Sequence, residues 1–374
     1  MKHLTLFFIL FFFTNTLVFG QQFTNVVNST NGVDNPRGLV VIANELYIME
    51  YGDNEITKID LSAITEQAPL QTPSQVLNNV IRPNGVAYVE DTNTLYYGDS
   101  SNGDLWALDL GENPLNPREL ISDEIFNYFD LAYHAASNDL YISGGHGVSK
   151  IFKLDLDDIS AGIQTVISLS EKPFGMAFRG GELYFTLSED TVHKISKIDV
   201  ALENPSAVDL VTAGLDNPRG IAFHGDDLYI VQMNNDRVSK INVANFDGSL
   251  LTPTDVATTP NQGDTPEYIV FDGDYLYITF FHADLISRLS IATLSNEKFS
   301  LSPISIYPNP SKEILTVEGL TTATTPYVIT DITGRTVQKG VLQSEGSVQI
   351  DNLQNGLYVI RISDQEFVFK FLKK

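Results

Sequence analysis

The chain of 374 residues contains no cysteine. That absence excludes disulfide bridges, thiolate metal sites and a lipoprotein anchor, each of which needs a thiol. The fold must therefore be held by its core, and a hydrophobic content of 43% is ample for one. Histidine is scarce: the six stand at positions 3, 134, 146, 193, 224 and 282, with no pair at metal-ligand spacing. No Gly-x-Ser-x-Gly elbow is present, so the signature of an α/β-hydrolase nucleophile is missing. Positive charge is thin as well. Lysine and arginine number 23 against 47 acidic side chains, a formal net charge of −24. Such a surface repels phosphate backbones and argues against nucleic acid as a partner.

The charge is unevenly placed. From Ile304 onward acidic and basic side chains balance, seven against seven, so the whole excess belongs to residues 1–303. Its simplest reading is solubility outside the cell; attraction of divalent cations or basic partners is the alternative. At the other end, Lys2 and His3 precede the apolar run Leu4–Phe13, and Leu17-Val18-Phe19-Gly20 leads into Gln21-Gln22. A basic start, a short apolar stretch and small residues near a cut site describe a secretory signal peptide, read here as residues 1–20. The run is too short for a transmembrane helix, and the mature chain is expected to have none.

What the sequence has in abundance is one repeated motif. It reads Asn35-Pro36-Arg37-Gly38, Arg82-Pro83-Asn84-Gly85, Lys172-Pro173-Phe174-Gly175, Asn217-Pro218-Arg219-Gly220 and Thr265-Pro266-Glu267, with a degenerate copy at Tyr128-Phe129-Asp130. Each copy leads into an apolar strand and then a Leu-Tyr pair, from Leu46-Tyr47 to Leu276-Tyr277. Successive copies lie 45 to 48 residues apart. A period in that range with several short strands per unit is the signature of a β-propeller blade. Around Gly220, the strand Gly220–Phe223 should lie at the axis, followed by Leu228–Gln232, Arg237–Val243 and a less regular outer strand. The sixth unit has no clear fourth strand of its own. Gln22-Phe23-Thr24-Asn25-Val26-Val27 precedes the first repeat where outer strands lie elsewhere, so it is expected to complete the last blade and remove a free edge. The sequence thus predicts an all-β chain: a six-bladed β-propeller over residues 21–294 closed by an N-terminal strand, a linker at 295–303, and a small β-sandwich over 304–374.

The motifs Asn217-Pro218-Arg219-Gly220-Ile221-Ala222-Phe223 and Pro83-Asn84-Gly85-Val86-Ala87-Tyr88 resemble those of NHL-type and senescence-marker-protein/gluconolactonase propellers. The likeness covers roughly residues 22–292 and speaks to fold far more than to activity. The tail resembles another family. Tyr307-Pro308-Asn309-Pro310, Asp331-Ile332-Thr333-Gly334-Arg335, Gly356-Leu357-Tyr358 and the basic terminus Lys370-Phe371-Leu372-Lys373-Lys374 stand where the type A sorting domain of the Bacteroidota type IX secretion system has them. That resemblance implies export across both membranes, the secretion machinery as a partner, and a product released or attached to surface glycolipid after the tail is removed.

The turns entering the inner strands, and those after the second strands, should line the functional mouth. The first set is Arg37, Asn84, Phe129, Phe174, Arg219 and Glu267; the second is Glu50, Asp99, Gly144, Leu187, Gln232 and Phe280. Such a half-polar, half-aromatic mouth suits a small organic ligand or a protruding loop. The alternative is that the arginines pair with neighbouring carboxylates and merely close the ring. Hydrolytic relatives hold an axial calcium on glutamate, asparagine and aspartate oxygens, as hard cations require. The resemblance therefore points to Glu267 and Asn84 as metal ligands, and calcium is the one cofactor it suggests. Against it, no aspartate stands in register, the two lie on blades 6 and 2, and two arginines at that level oppose a cation. His146 and His282 are expected on mouth-side turns, where either is a candidate general base. Asp99-Ser100-Ser101-Asn102-Gly103-Asp104 reads as a polar turn. The expectation is a monomeric exported binding module for a glycan, a peptide or a secreted partner. The alternative is a metal-dependent lactonase, esterase or lyase drawing on Glu267, Asn84, Asp99 and a histidine.

Overall fold

The computed structural model describes residues 23–122, 129–144, 149–189, 191–244, 246–259, 265–291, 305–318, 324–332, 334–343, 346–362 and 367–374. The segment expected to be the signal peptide, and His146, lie outside them. The chain divides into two compact units, Met1–Ala292 and Thr293–Lys374. Among the described residues no helix is long and apolar enough to cross a membrane.

In the first unit the described strands form six four-stranded antiparallel sheets, five of them simple meanders and one a three-strand meander completed by an N-terminal strand. Their inner strands are Pro36–Ile42, Pro83–Val89, Leu131–His134, Pro173–Arg179, Pro218–His224 and Pro266–Asp272, numbered here as sheets 1 to 6. Each inner strand packs against the next, and the sixth returns to the first, which closes the ring of a β-propeller. Phe23–Asn28 pairs antiparallel with Leu285–Ser290, with Phe23 opposite Leu289, and becomes the fourth strand of sheet 6. The chain start therefore bonds to the last strand of the ring, and the edge that sheet 6 would expose is paired.

The repeated residues explain the packing. Every leucine of the Leu-Tyr pairs is fully buried between sheets, and each tyrosine beside it is nearly so. In sheets 1, 3, 4 and 5 the acid just before the pair meets a lysine on the third strand, as in Lys58–Glu45 at 2.7 Å and Lys240–Asp227 at 2.6 Å. The glycine of the motif has a steric cause. A Cβ on Gly38 would lie 2.2 Å from the Asn84 carbonyl oxygen of the next sheet, and one on Gly220 would lie 2.6 Å from that of Glu267. Neighbouring inner strands approach too closely for a side chain there.

The second unit holds two sheets around one apolar cluster that includes Leu315, Val317, Ile329, Val348, Ile360 and Phe371. The short alternating runs of the sequence at Ile314–Glu318, Tyr327–Thr330, Gly346–Ile350, Leu357–Ser363 and Phe367–Leu372 fall on the strands Ile314–Glu318, Thr324–Asp331, Gly346–Gln349, Gly356–Ile362 and Phe367–Lys373. Ser305–Tyr307 and Thr336–Gln343 are further strands that the sequence pattern did not indicate. Thr336–Gln343 has polar residues and Gly340 at its centre, so it lacks a clean alternation. Gly340 lies opposite Tyr327, whose ring covers it so closely that a Cβ would sit 2.8 Å away.

Candidate functional site

Each inner strand starts at the same end of the axis, so the residue after each motif proline is delivered to one small opening. Arg37, Phe129, Phe174, Arg219 and Glu267 meet there, together with Tyr268, around a cavity of about 10 Å³. That is room for a single water molecule. Of the first expected set, only Asn84 stands back from this cavity.

The charges in the opening are not evenly satisfied. Arg37 Nη1 donates to Glu267 Oε2 at 2.5 Å, and its guanidinium lies over the rings of Phe281 at 3.8 Å and Tyr51 at 5.0 Å. Arg219 lines the same cavity. Its guanidinium carbon sits 3.7 Å above the Phe174 ring, which in turn packs against Phe129 at 4.2 Å. Among the described residues Arg219 has no ionic partner within 4.0 Å, and its Nε, like that of Arg37, is buried without a hydrogen bond. Burial lowers the Arg219 pKa; Glu267 opposes that shift and Arg37 reinforces it. The mouth thus holds two guanidinium groups, one carboxylate and a tilted pair of phenylalanine rings.

The candidate metal ligands do not surround one space. Glu267 is engaged by Arg37, and Asn84 Oδ1 accepts the Tyr268 hydroxyl at 2.9 Å across the ring. Among the described residues, the one set of three histidine, aspartate or glutamate side chains brought within 4.8 Å is Glu50, Asp53 and Glu55, which does not include Glu267.

Most of the second expected set braces hairpins rather than lining the cavity. Glu50 accepts the Asp34 N–H at 3.2 Å and the Thr57 hydroxyl. Gln232 makes the same bridge in sheet 5, accepting from Asp216 N at 2.8 Å and donating to Ser239 Oγ at 2.6 Å. Burial pushes the Glu50 carboxyl up to about 7 against the lowering effect of its two hydrogen bonds. Asp99 accepts from Ser101 N at 2.8 Å, Asn102 N at 3.2 Å and Asn102 Nδ2 at 3.1 Å, which closes the polar turn expected there. Phe280 and Leu187 belong to apolar clusters. His282 Nδ1 lies 3.0 Å from Thr265 Oγ1 and does not line the central cavity.

Two residues stand on the axis: Tyr268, which the sequence reading did not single out, and Asp130, which it noted only as an aspartate out of register for a metal. At the position where sheets 1, 2, 4 and 5 have Gly38, Gly85, Gly175 and Gly220, sheet 3 has Asp130 and sheet 6 has Tyr268. The departure from glycine was the available signal. The axial passage reaches both side chains, so they keep some accessible surface, yet protein packs around them on every other side. Burial drives the Tyr268 pKa well above its ordinary value, with Asp130 adding to the shift. Tyr268, tethered to Asn84, separates the mouth from the passage beyond it.

Beside the mouth lies a second cavity of about 220 Å³ that shares Phe174 and Arg219 with it. Its wall carries Lys172, Ser188, Glu189, His193, Asn217 and Asn234, with Lys172 Nζ paired to Glu189 Oε1 at 3.0 Å. Ser188 Oγ bonds Asn217 Oδ1 at 2.8 Å and lies 3.0 Å from His193 Nδ1. Hydroxyl, amide and imidazole groups and a lysine–glutamate pair thus surround a space next to an arginine that has no ionic partner among the described residues.

Residues 305–374 match the family of secretion system C-terminal sorting domains. The tail is thus a type IX sorting domain and marks the chain for secretion. The propeller is similar in fold to several solved structures. A Carbohydrate-Active Enzymes family AA12 protein of Trichoderma reesei aligns at a TM-score of 0.60 with 13% identity, covering 73% of this chain and 96% of that one. The PQQ-bound aldose sugar dehydrogenase of Streptomyces coelicolor aligns at 0.57 with 15% identity, covering 71% and 96%. A putative gluconolactonase aligns at 0.55 with 14% identity, covering 72% and 92%. No curated protein matches the sequence. At these identities the likeness concerns the fold.

Proposed function

We propose that the protein is an exported β-propeller binding module whose mouth holds an acidic glycan, a uronic-acid unit setting its carboxylate against Arg219. The observation that carries this reading is the Arg219 guanidinium, half enclosed over Phe174 and without an ionic partner among the described residues. A guanidinium fork presents paired donors to a carboxylate in a geometry that ammonium groups do not match. The space beside it, about 220 Å³ and lined by Asn217, Asn234, Ser188 and His193, suits the hydroxyls of one sugar ring. Two neighbours in fold are named for carbohydrate or sugar chemistry, which supports a sugar over a peptide as ligand. The sorting tail supports presentation outside the cell, through the type IX machinery, where such polymers are met.

The test is calorimetric titration of the full chain with oligogalacturonate and with neutral cello-oligosaccharide. The acidic oligomer should bind at least tenfold more tightly, and Arg219→Met should remove that preference. Equal binding of both sugars, or an Arg219→Met variant that keeps the preference, overturns the reading. Binding that requires calcium and is lost in Glu267→Ala supports the metal-dependent alternative instead.

A further inference from the structure

The hairpin of sheet 4 is longer than those of its counterparts. Its second and third strands, Glu182–Glu189 and Val192–Asp199, have eight residues each, where those of sheets 1 and 5 have six. In sheet 5 the ladder stops with Gln232 opposite Arg237; in sheet 4 it continues to Ser188 opposite His193 and Glu189 opposite Val192. The added rung sets Ser188 Oγ 3.0 Å from His193 Nδ1, on the wall of the cavity of about 220 Å³ beside the mouth.

At the position of Ser188, sheets 1, 5 and 6 have Tyr51, Met233 and Phe281, each donating its N–H to the carbonyl before the motif proline. Sheet 2 has Ser100, whose hydroxyl donates to the Arg82 carbonyl of its own turn at 2.8 Å. Ser188 keeps the main-chain bond, to the Lys172 carbonyl at 3.0 Å, but its hydroxyl is turned toward other groups. That hydroxyl has one proton and two acceptors in reach, Asn217 Oδ1 at 2.8 Å and His193 Nδ1. On the far side of the imidazole, Nε2 lies 3.8 Å from Asp216 Oδ1, which also accepts Asn234 Nδ2 at 3.0 Å. Hydroxyl, imidazole and carboxylate thus stand in series, the arrangement that makes a serine nucleophilic. Arg219 adds a guanidinium to the same wall.

We infer that this cavity hydrolyses an alkyl ester of the uronic acid that the mouth binds, with Ser188 as nucleophile and His193 as general base; the inference rests on the acidic-glycan reading above. The ester carbonyl takes the place against Arg219 that the carboxylate of the product keeps. With its ring proton on Nε2, facing Asp216, His193 accepts the Ser188 proton at Nδ1 as Oγ adds to the carbonyl carbon. Negative charge gathers on the carbonyl oxygen beside the Arg219 guanidinium, while Asp216 faces the imidazolium. The bond from the carbonyl carbon to the alkoxy oxygen breaks, His193 returns the proton to the departing alcohol, and an acyl-serine remains. Water then gives a proton to His193 and adds to the acyl carbon. The bond to Oγ breaks, Oγ regains the proton, and the uronic acid, its own proton lost to solvent, stays against Arg219.

The experiment follows methanol release from methyl-esterified oligogalacturonate by the full chain. The unaltered chain should turn this substrate over, and Ser188→Ala and His193→Gln should each lower the rate by about a hundredfold or more. Asp216→Asn, a change at a positioning residue, should lower kcat about tenfold and leave KM unchanged, the mark of a group that acts on the transition state. A fluorophosphonate added to the unaltered chain should attach to Ser188, read by mass spectrometry of the digested protein, and this decides the matter where a variant fails to fold. Methanol release that persists in Ser188→Ala overturns the inference, as does a label confined to other residues. An unaltered chain that binds oligogalacturonate through Arg219 yet releases no methanol also overturns it, and leaves the binding reading standing.

Discussion

Sheets 1 and 5 begin with the same four residues, Asn35-Pro36-Arg37-Gly38 and Asn217-Pro218-Arg219-Gly220. The backbone follows the sequence: both asparagines adopt a positive φ, 47° and 52°, and both prolines stand opposite the last residue of the second strand. Both arginines lie over an aromatic ring. The electrostatics differ nonetheless. Arg37 has Glu267 and Arg219 does not; sheet 1 braces its hairpin with a carboxylate, Glu50, and sheet 5 with an amide, Gln232. A repeat therefore fixes where a side chain is delivered, and the neighbouring repeats fix what that side chain does.

The shared feature can be broken first. Gly38→Ala sets a Cβ against the Asn84 carbonyl at 2.2 Å, tighter than the 2.6 Å that Gly220→Ala meets at Glu267. Both variants should unfold at lower denaturant concentration, with Gly38→Ala losing more than about 3 kcal/mol and Gly220→Ala less. Fluorescence of Trp106, the single tryptophan and a residue of sheet 2, reports the propeller alone. Equal, small losses would show that the inner strands separate freely.

The braces sharpen the contrast at the next level. The Glu50 pKa is raised in the folded state from 4.5 to about 7. Its contribution to stability is therefore complete below about pH 4.5 and is lost as pH rises through 7, a change of roughly 3 kcal/mol. Glu50→Gln should remove that slope, stabilising the propeller at pH 8 and leaving it almost unchanged at pH 5. Gln232→Glu should add a second slope of the same sign. Asp130, raised by burial to about 7, leaves a residual slope in both variants. Melting curves at the two pH values check the sign directly.

Period and punctuation made the ring legible, because Pro-x-Gly and Leu-Tyr recur wherever inner strands crowd and sheets pack. The closing strand Phe23–Asn28 was legible from what the sixth unit lacked. So were Arg37, Phe129, Phe174, Arg219 and Glu267, since one register delivers them to one opening. Glu50 and Gln232 were placed at the right turns, but their partners Thr57 and Ser239 lie on the third strand of each sheet, which no period marks; Asp99 meets the Asn102 amide within the polar turn itself. Thr336–Gln343 stayed hidden because polar residues and a central glycine, covered by Tyr327 of the strand just before it, break its alternation. Tyr268 reaches Asn84 across the ring, 184 residues away, a pairing that only closure creates.

The smallest expected effect separates the two arginines most cleanly. Arg37→Met leaves Glu267, whose side chain is 8% exposed, without its ion-pair partner beside an aromatic wall. Stranding a carboxylate in that way is costly, and discounting for water at the mouth leaves about 2 kcal/mol. Arg219→Met strands nothing. It removes a guanidinium already disfavoured by burial and keeps a flexible apolar chain on Phe174, so its cost should stay below about 1 kcal/mol. Denaturant titration of the two variants measures the difference. A large loss for Arg219→Met would mean that this arginine holds the ring together and is not reserved for a ligand. A small loss for both would mean that Glu267 turns to Arg219 once Arg37 is gone, so that the two identical motifs compete for one carboxylate and the arginine it leaves free is a matter of balance between them.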